Sequence, residues 1–159
     1  MIRLRGKAIL GGRGAGDALV TRMPINFTAA FSKPQNFIPS RRAEIRDRHH
    51  DLFGRNVAGS VLVFPACIGS TFTGMVLMQI ASEGSGPAAI VVQNADSLLV
   101  SGGVLGEVWF EKGLPLVEYR SDDLFEKIAT GDRVVVDGET GEISVEPSPE
   151  RAGGAPAGR

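Results

Sequence analysis

The stretch from residue 60 to residue 83, SVLVFPACIGSTFTGMVLMQIASE, constrains the fold more than any other part of the chain. Its apolar run, Val61–Phe64, is followed by a proline, a short loop containing Gly69, and a long apolar segment. This order predicts a buried strand, a tight turn and a helix. Ser70 and Thr71 then lie where a helix presents unpaired N–H groups and the positive end of its dipole. Such a position binds anions and can hold a reactive hydroxyl.

Two further segments extend this unit into an α/β fold. The apolar run Ala88–Val92 follows the helix-ending residues 84–87, so residues 60–92 give strand, helix and strand at the spacing of a parallel pair. Residues 132–145 alternate around a glycine-containing turn and predict an antiparallel hairpin. Shorter strands are predicted at residues 2–9, 17–23 and 116–119. We therefore predict an α/β fold with a partly parallel central sheet and peripheral hairpins.

The remaining segments are less regular. The glycine cluster at residues 11–16 lacks the lysine and hydroxyl ending of a phosphate-binding loop and leads into a strand-like segment, which favours a hairpin turn. Residues 24–45 contain prolines and no periodicity, so a long irregular loop is predicted there. Three further elements are expected: a short helix at 96–106 broken by Gly102 and Gly103, a brief strand at 107–110, and a short helix at 124–129.

Composition limits the classes of function that the chain can have. The 159 residues suit one domain, which we assign to residues 1–146, with a disordered Pro/Gly/Ala-rich tail at 147–159. A net charge of −1 gives no reason to expect binding to nucleic acid or to a membrane. No apolar run approaches the roughly 18 residues of a membrane-spanning helix. The first residues also lack the apolar segment of a signal peptide, so we expect a cytoplasmic protein.

Ser70 is the strongest candidate for chemistry, but the sequence supplies no complete catalytic set around it. A serine hydroxyl is a poor base in water and needs an apolar pocket, a helix N-terminus or a cation to stabilise its alkoxide. The GxSxG pattern is absent, and His49 and His50 lie upstream in a charged loop. From the residues alone, a helix cap is the simpler role for Ser70. An enzyme that uses this hydroxyl would need a second chain.

Two other features have both a plain and a functional explanation. Cys67 is the only cysteine, which excludes an internal disulfide and favours a reducing compartment. Its simplest role is that of a small, half-buried residue. A nearby helix start would lower its pKa, which makes a reactive thiol, or a ligand to a metal held by a partner, the alternative. The charged stretch Arg41–Asp51 is either a solvated loop or a set of cations, at Arg41–Arg48, that faces a carboxylate ligand or an acidic partner.

Read as one string, the chain resembles the swivel domain, or small subunit, of the aconitase X family. The resemblance runs from the first predicted strand to about residue 145. It is carried by GKAILGGRGAGDALVT near the start, DLFGRNVAGSVLVFP in the middle, GST at 69–71, GPAAIVV up to Val92, and KGLPLVE at 112–118. The middle element is the most specific, because it combines a Leu-x-Gly-x-x-Val-x-Gly lead, a strand ending in Phe-Pro, and Gly-Ser-Ser/Thr beyond it.

The resemblance implies a swivelling β/β/α domain that closes over a larger catalytic subunit. It also implies dehydration of a small hydroxy acid, with an iron or iron–sulfur centre expected in the large subunit and none bound by this chain alone. The serine of the Gly-Ser-Ser/Thr motif is thought to accept a proton in this family, and the matching residue is Ser70. Gly69, Thr71, Ile68 and Phe72 are then expected to contact the substrate.

The loop also predicts which substrate is preferred. The phosphomevalonate branch of the family typically reads Gly-Arg-Gly-Ser-Ser-Thr-Gly, whereas this chain has Ile68 in place of the arginine. Losing that guanidinium removes a partner for phosphate. Ile68 and Phe72 suit a smaller and less charged substrate, so the sequence favours conversion of cis-3-hydroxy-L-proline to pyrroline-2-carboxylate. Dehydration of mevalonate 5-phosphate is the alternative.

Two further classes of function compete with the dehydratase. Residues 131–138, GDRVVVDG, match an element of phosphohistidine-carrier swivel domains. The histidine that such carriers phosphorylate is missing, since Gly102 and Gly103 are followed by Val-Leu-Gly. A non-catalytic regulatory or assembly subunit is the third class, and loss of activity in Ser70 variants would separate it from a catalytic subunit.

Overall fold

The computed structural model describes residues 1–31 and 42–153. Within these ranges eight strands form one continuous sheet in the order β1-β8-β7-β3-β4-β5-β6-β2. The strands are β1 (Ile2–Arg5), β2 (Lys7–Leu10), β3 (Arg13–Val20), β4 (Val61–Phe64), β5 (Ala89–Val92), β6 (Leu116–Glu118), β7 (Arg133–Asp137) and β8 (Glu142–Glu146). The helices, numbered in chain order, are α1 (Phe27–Phe31), α2 (Thr73–Ser82), α3 (Ser97–Phe110), α4 (Leu124–Lys127) and α5 (Pro149–Gly153).

The centre of the sheet is parallel, as predicted. Strands β3, β4, β5 and β6 are parallel neighbours, with Leu62 of β4 between Leu19 of β3 and Ile90 of β5. Helix α2 connects β4 to β5, and α3 connects β5 to β6. Every residue of β4 and β5 is buried, because both faces of these strands are covered. The predicted α/β fold with a partly parallel sheet is confirmed.

The sheet folds over itself into two layers. Strand β3 pairs with β7 along residues 13–17 and with β4 along residues 18–20, so it belongs to both layers. Strands β1 and β2 are separated only by Gly6, yet they pair at opposite ends of the sheet, with β8 and β6. One core fills the space between the two sheet layers, and it includes Val61, Val63, Val134 and Ile143. The other lies between the sheet and the helices and includes Phe64, Leu77 and Leu99. The architecture is therefore β/β/α.

Two predicted boundaries near the N-terminus are wrong. The predicted single strand at residues 2–9 is two strands, since the pairing partner changes at Gly6 from β8 to β6. The N–H of Gly6 donates to the carbonyl of Gly141 at 2.9 Å. The glycine cluster forms a turn only at Gly11 and Gly12, and from Arg13 onward it is part of β3. Gly14 lies against the carbonyl of Ala88 on the crossing chain, where a β-carbon would be 2.1 Å from that oxygen.

The predicted break in the helix after residue 96 is also wrong. Helix α3 runs without interruption from Ser97 to Phe110, so no strand forms at residues 107–110. Asp96 caps its start by accepting the N–H of Leu99 at 2.8 Å. Gly102 does not end the helix because its role is close packing. A β-carbon there would be 2.6 Å from the carbonyl oxygen of Gly74 on α2.

Three remaining segments complete the fold. Helix α1 lies within the predicted irregular region 24–45, of which residues 32–41 fall outside the described ranges. The short helix predicted at 124–129 is present as α4. The predicted disordered tail begins with α5, because Arg151 binds the buried Asp132, and residues 154–159 lie outside the described ranges. None of the described helices has the length and apolar character needed to cross a bilayer.

Candidate functional site

The candidate site lies at the carboxyl edge of the parallel strands, in the loop between β4 and α2. Carboxyl ends of neighbouring parallel strands meet at one edge, so this loop adjoins the segments that follow β3 and β5. The segment after β3 fixes it directly. Ile25 donates to the carbonyl of Ala66 at 3.0 Å and accepts the N–H of Ile68 at 3.0 Å. These two bonds form a parallel bridge between Ile25 and Cys67.

Gly69 is the turning point of this loop. Its φ of +87° lies in the left-handed region that favours glycine. A β-carbon at Gly69 would also be 2.4 Å from Nδ2 of Asn26. The Oδ1 atom of Asn26 accepts the N–H of Ala29 at 3.1 Å, which holds the start of α1 against the loop. Sequence reasoning missed Asn26, because helix α1 is too short to show periodicity within a region taken for irregular loop.

Ser70 is half-buried directly after this turn. Its Oγ atom accepts the N–H of Phe72 at 3.0 Å, and its carbonyl accepts the hydroxyl of Thr73 at 3.0 Å. Helix α2 begins at Thr73, so Ser70 is not its N-cap. Phe72 occupies that position and makes no capping bond with its side chain. Among the described residues, Ser70 Oγ accepts one hydrogen bond, and no acceptor is recorded for its own proton.

The residues beside Ser70 present apolar side chains to solvent. Ile68 is 51% exposed and Phe72 is 57% exposed, while Thr71 is exposed as well. Helix α2 is apolar nearly all round, yet on this side Met75 is 59% exposed. The helix packs instead through Thr73, Gly74, Val76, Leu77 and Ile80. The structure thus brings Gly69, Ser70 and their neighbours together at an open, apolar-rimmed loop.

Cys67 lies in the same loop but is not an activated thiol. Burial of the side chain, together with the negative charge of Asp96, raises its pKa to about 12. The predicted lowering of its pKa by the helix start is wrong, because burial outweighs the dipole at this position. No group of three or more His, Cys, Asp or Glu side chains in residues 1–31 and 42–153 is placed to hold a metal. Cys67 is a single thiol and would supply one ligand, so it cannot by itself hold an iron or iron–sulfur centre.

The charged stretch upstream is largely paired within itself. Glu44 forms ion pairs with Arg42, at 2.8 Å, and with Arg46. His50 is buried, and its Nδ1 atom accepts the N–H of Leu52 at 3.1 Å. The exposed Arg42 agrees with the expected solvated loop, whereas Ala43, Ile45 and His50 are buried, so this part of the stretch packs into the domain. Arg41 lies outside the described ranges.

A buried carboxylate supports the same edge of the sheet, and sequence reasoning missed it. Glu118, at the end of β6, accepts the N–H of Ala95 at 2.9 Å and the Nε–H of Arg120 at 2.9 Å. Burial disfavours ionisation of Glu118, but the hydrogen bond from Ala95 and the guanidinium of Arg120 outweigh it and lower its pKa. Glu118 therefore fastens the loop after β5 beside the Ser70 loop.

Comparison with known proteins relates this geometry to a family. The family profile described as the aconitase X swivel domain matches residues 3–145, almost the whole described chain. The chain belongs to the aconitase X swivel-domain family. The predicted resemblance is confirmed, and with it the β/β/α form of the domain.

Several relatives of this swivel domain share a name. The chain is 34% identical to a phosphomevalonate dehydratase small subunit of Archaeoglobus fulgidus over 87% of this chain and 95% of that one. A protein of the same name from Thermococcus sibiricus is 32% identical over 91% and 99%. These names identify a dehydratase small subunit and thereby a large-subunit partner. They do not support the predicted preference for hydroxyproline.

Solved structures agree with the fold of this swivel domain. A chain in the crystal structure of Thermococcus kodakaraensis aconitase X, in its holo-form, is similar with a TM-score of 0.77 and 28% identity, over 92% of this chain and all of that one. A solution structure of a UPF0107 protein is similar with a TM-score of 0.75 and 32% identity, over the same shares. The similarity therefore extends over most of the chain.

Proposed function

We propose that the chain is the small subunit of an aconitase X-type dehydratase and that Ser70 is its contribution to an active site completed by the large subunit. The proposal rests on the hydrogen bonding and the position of the Ser70 hydroxyl. Its Oγ atom is held by one N–H donor at the start of α2, at an open edge of the sheet. Within residues 1–31 and 42–153, no group of three or more His, Cys, Asp or Glu side chains is placed there to hold a metal. A hydroxyl placed in this way is positioned but not activated.

The proposed reaction is the loss of water from a hydroxy acid. Ser70 Oγ, as an alkoxide, accepts a proton from the substrate carbon next to the one that bears the hydroxyl. The electron pair of the broken C–H bond forms the new double bond as the C–O bond breaks. The departing hydroxide takes up a proton from solvent and leaves as water, and Ser70 Oγ returns its proton to solvent, which restores the alkoxide. The N–H of Phe72 stabilises negative charge on Oγ before the transfer. The remaining activation, and any iron or iron–sulfur centre, would come from the large subunit.

Mevalonate 5-phosphate is the substrate that the relatives favour. Each of the small subunits described above is named for phosphomevalonate. The phosphate would have to be bound outside residues 67–72, because this loop contains no cation. We therefore propose that the large subunit supplies the phosphate-binding groups.

The second candidate is cis-3-hydroxy-L-proline, and one observation favours it. Ile68 occupies the place of the arginine typical of the phosphomevalonate branch, and its side chain is half-exposed beside Ser70. A smaller, unphosphorylated substrate would need no guanidinium at this position. Gly69, Thr71 and Phe72 would contact either substrate in the same way.

A reconstituted complex tests both candidates together. The chain is co-expressed with the aconitase X large subunit of the same organism, and water loss from each substrate is followed by mass spectrometry. We expect dehydration of mevalonate 5-phosphate, with kcat/KM at least tenfold above that for cis-3-hydroxy-L-proline. The opposite ratio would establish the second candidate, and turnover of neither substrate would contradict the proposal.

A further inference from the structure

Large exposed apolar side chains are concentrated on one side of the molecule. Most of those in the described residues lie in the Ser70 loop, on α2 or on α3, while Met1, Met23 and Phe53 are scattered elsewhere. The concentrated set, here named the α2–α3 surface, consists of Ile68, Phe72, Met75, Leu98, Val104, Val108, Trp109 and Phe110. Soluble proteins rarely leave such a contiguous patch uncovered, and patches of this kind mark interfaces.

The two halves of this surface form one continuous face. Gly74 of α2 packs so closely on α3 that a β-carbon there would be 2.7 Å from the carbonyl oxygen of Leu98. Met75 and Leu98 therefore lie at the same helix–helix contact. Leu98 and Trp109 lie about three turns apart on the same side of α3, and Val104 and Val108 lie about one turn apart on the adjoining flank, which borders a groove. The surface thus leads from the proposed active-site loop along the full length of α3.

A groove lies beside the C-terminal half of α3, next to the exposed apolar residues of this surface. A cavity of about 570 Å³ lies between α3 and the turns before β3 and β6. Its apolar lining includes Leu10, Val104, Val108 and Leu114, and Glu107 stands at its side. The groove can take an apolar side chain of a partner. Its charged lining residues are Glu107, Glu139 and Arg13, and this excess of one carboxylate favours a basic residue beside it.

We propose that the α2–α3 surface, including its groove, is the docking face for the large subunit. The inference rests on the proposed function, because a shared site at Ser70 places the large subunit against Ile68 and Phe72, where the surface begins. Continuity then extends this contact along α3 to Trp109. The energetic centre of the interface lies at Val108 and Trp109, since Val108 lines the groove and an exposed tryptophan that a partner buries is a typical binding hot spot.

The test measures binding apart from turnover. Val108→Lys and the double variant Val108→Lys, Trp109→Ala are compared with wild type for affinity to the purified large subunit by calorimetric titration. Both side chains are exposed, so the fold is retained, and circular dichroism checks this. We expect the Kd to rise about tenfold or more for the single variant and further for the double variant. Phe53→Lys is the matched control outside the surface, and its Kd should stay within about twofold of the wild-type value.

The outcomes separate this proposal from the proposed function. Ser70→Ala is expected to keep the wild-type Kd, whereas Val108→Lys at saturating concentration keeps the wild-type kcat. A wild-type Kd in the double variant would overturn the docking face. So would a dimer of this chain alone that Val108→Lys dissociates without changing the affinity for the large subunit. A tight complex without dehydratase activity would leave the docking face standing and contradict the proposed function.

Discussion

Asp132 and Ser70 are both polar residues next to chain turns. They differ in how many hydrogen-bond and ion-pair partners the chain itself provides for their side chains. Asp132 is fully buried at the start of β7. Its carboxylate accepts the N–H groups of Ala129 and Ser148, each at 2.9 Å, and pairs with Arg151 at 2.5 Å. These partners tie α5 and the turn before β7 to the sheet. Every contact of Asp132 serves the fold.

Ser70 has the opposite character. It is half-buried at an open edge, its Oγ atom receives a single N–H, and exposed Ile68 and Phe72 flank it. A buried charge without partners would cost several kcal/mol, so a structural carboxylate must be satisfied from within. A half-exposed hydroxyl has no such requirement, so its remaining hydrogen-bond partner can come from a second chain. The difference separates Asp132, which holds the fold together, from Ser70, to which the proposed function assigns a place in an active site shared with the large subunit.

The largest expected effect is on activity at Ser70. In the complex with the large subunit, Ser70→Ala should lower kcat by about 10²–10⁴-fold, because it removes the proposed proton acceptor. Its urea midpoint should stay near that of wild type, since the side chain makes one hydrogen bond. Ser144→Ala on β8 is the matched control and should leave kcat unchanged. A Ser70→Ala complex that turns over at the wild-type rate would remove the catalytic role.

The next effect concerns the thiol in the same loop. A pKa of about 12 at Cys67 leaves the folded protein at pH 8 with roughly a thousandth of the thiolate of a free cysteine, whose pKa is near 8.5. Alkylation by iodoacetamide, followed by mass spectrometry, should be at least about a hundredfold slower than in the urea-unfolded chain. Equal rates in the two states would show that Cys67 is reactive and would reopen its role in the site.

Asp132 provides the structural counterpart to Ser70. Asp132→Ala should lower the free energy of unfolding by about 3 kcal/mol, because it leaves two N–H groups and Arg151 without their acceptor. Urea titration followed by circular dichroism measures the change. Asp17→Ala, which removes an exposed ion pair to Arg133 at 3.3 Å, should cost less than about 1 kcal/mol. Equal losses in the two variants would contradict the structural role of Asp132.

The smallest effect concerns the contact between α2 and α3. Gly102→Ala should destabilise the fold by about 1–2 kcal/mol, because the added methyl meets the backbone of Gly74. Gly106→Ala lies in the same helix, and its methyl would meet only the carbonyl of Lys112 at 3.4 Å. Helix propensity then favours alanine, with a gain of up to about 1 kcal/mol. Thermal unfolding of both variants checks this difference in sign.

The central fold could be predicted from the sequence, because fully buried parallel strands leave continuous apolar runs such as Val61–Phe64. The C-terminal hairpin and the Ser70 loop could be predicted for similar reasons. The glycines were harder to interpret. Local signals cannot distinguish a glycine that ends a helix from Gly102, which lets a second helix approach. For the same reason the break between β1 and β2 at Gly6, which depends on strand pairing at both ends of the sheet, was not predicted.

The surroundings of Ser70 could be predicted only in part. Its place between a strand and a helix follows from local pattern, whereas Asn26 and Glu118 reach the same edge from distant segments. The direction of the pKa shift at Cys67 depends on burial and on Asp96, which the local sequence does not contain. The exposure of Met75 and Trp109 likewise reverses the usual expectation for apolar residues in a helix. These are tertiary effects, which no local pattern specifies.

We propose that this chain holds one incomplete part of an active site that it shares with the large subunit. The most direct test is to titrate the purified chain into a fixed amount of purified large subunit and to measure the initial rate of mevalonate 5-phosphate dehydration. We predict no turnover by either subunit alone and a rate that rises to a plateau as the chain is added. Turnover by this chain alone, or full activity of the large subunit without it, would contradict the claim.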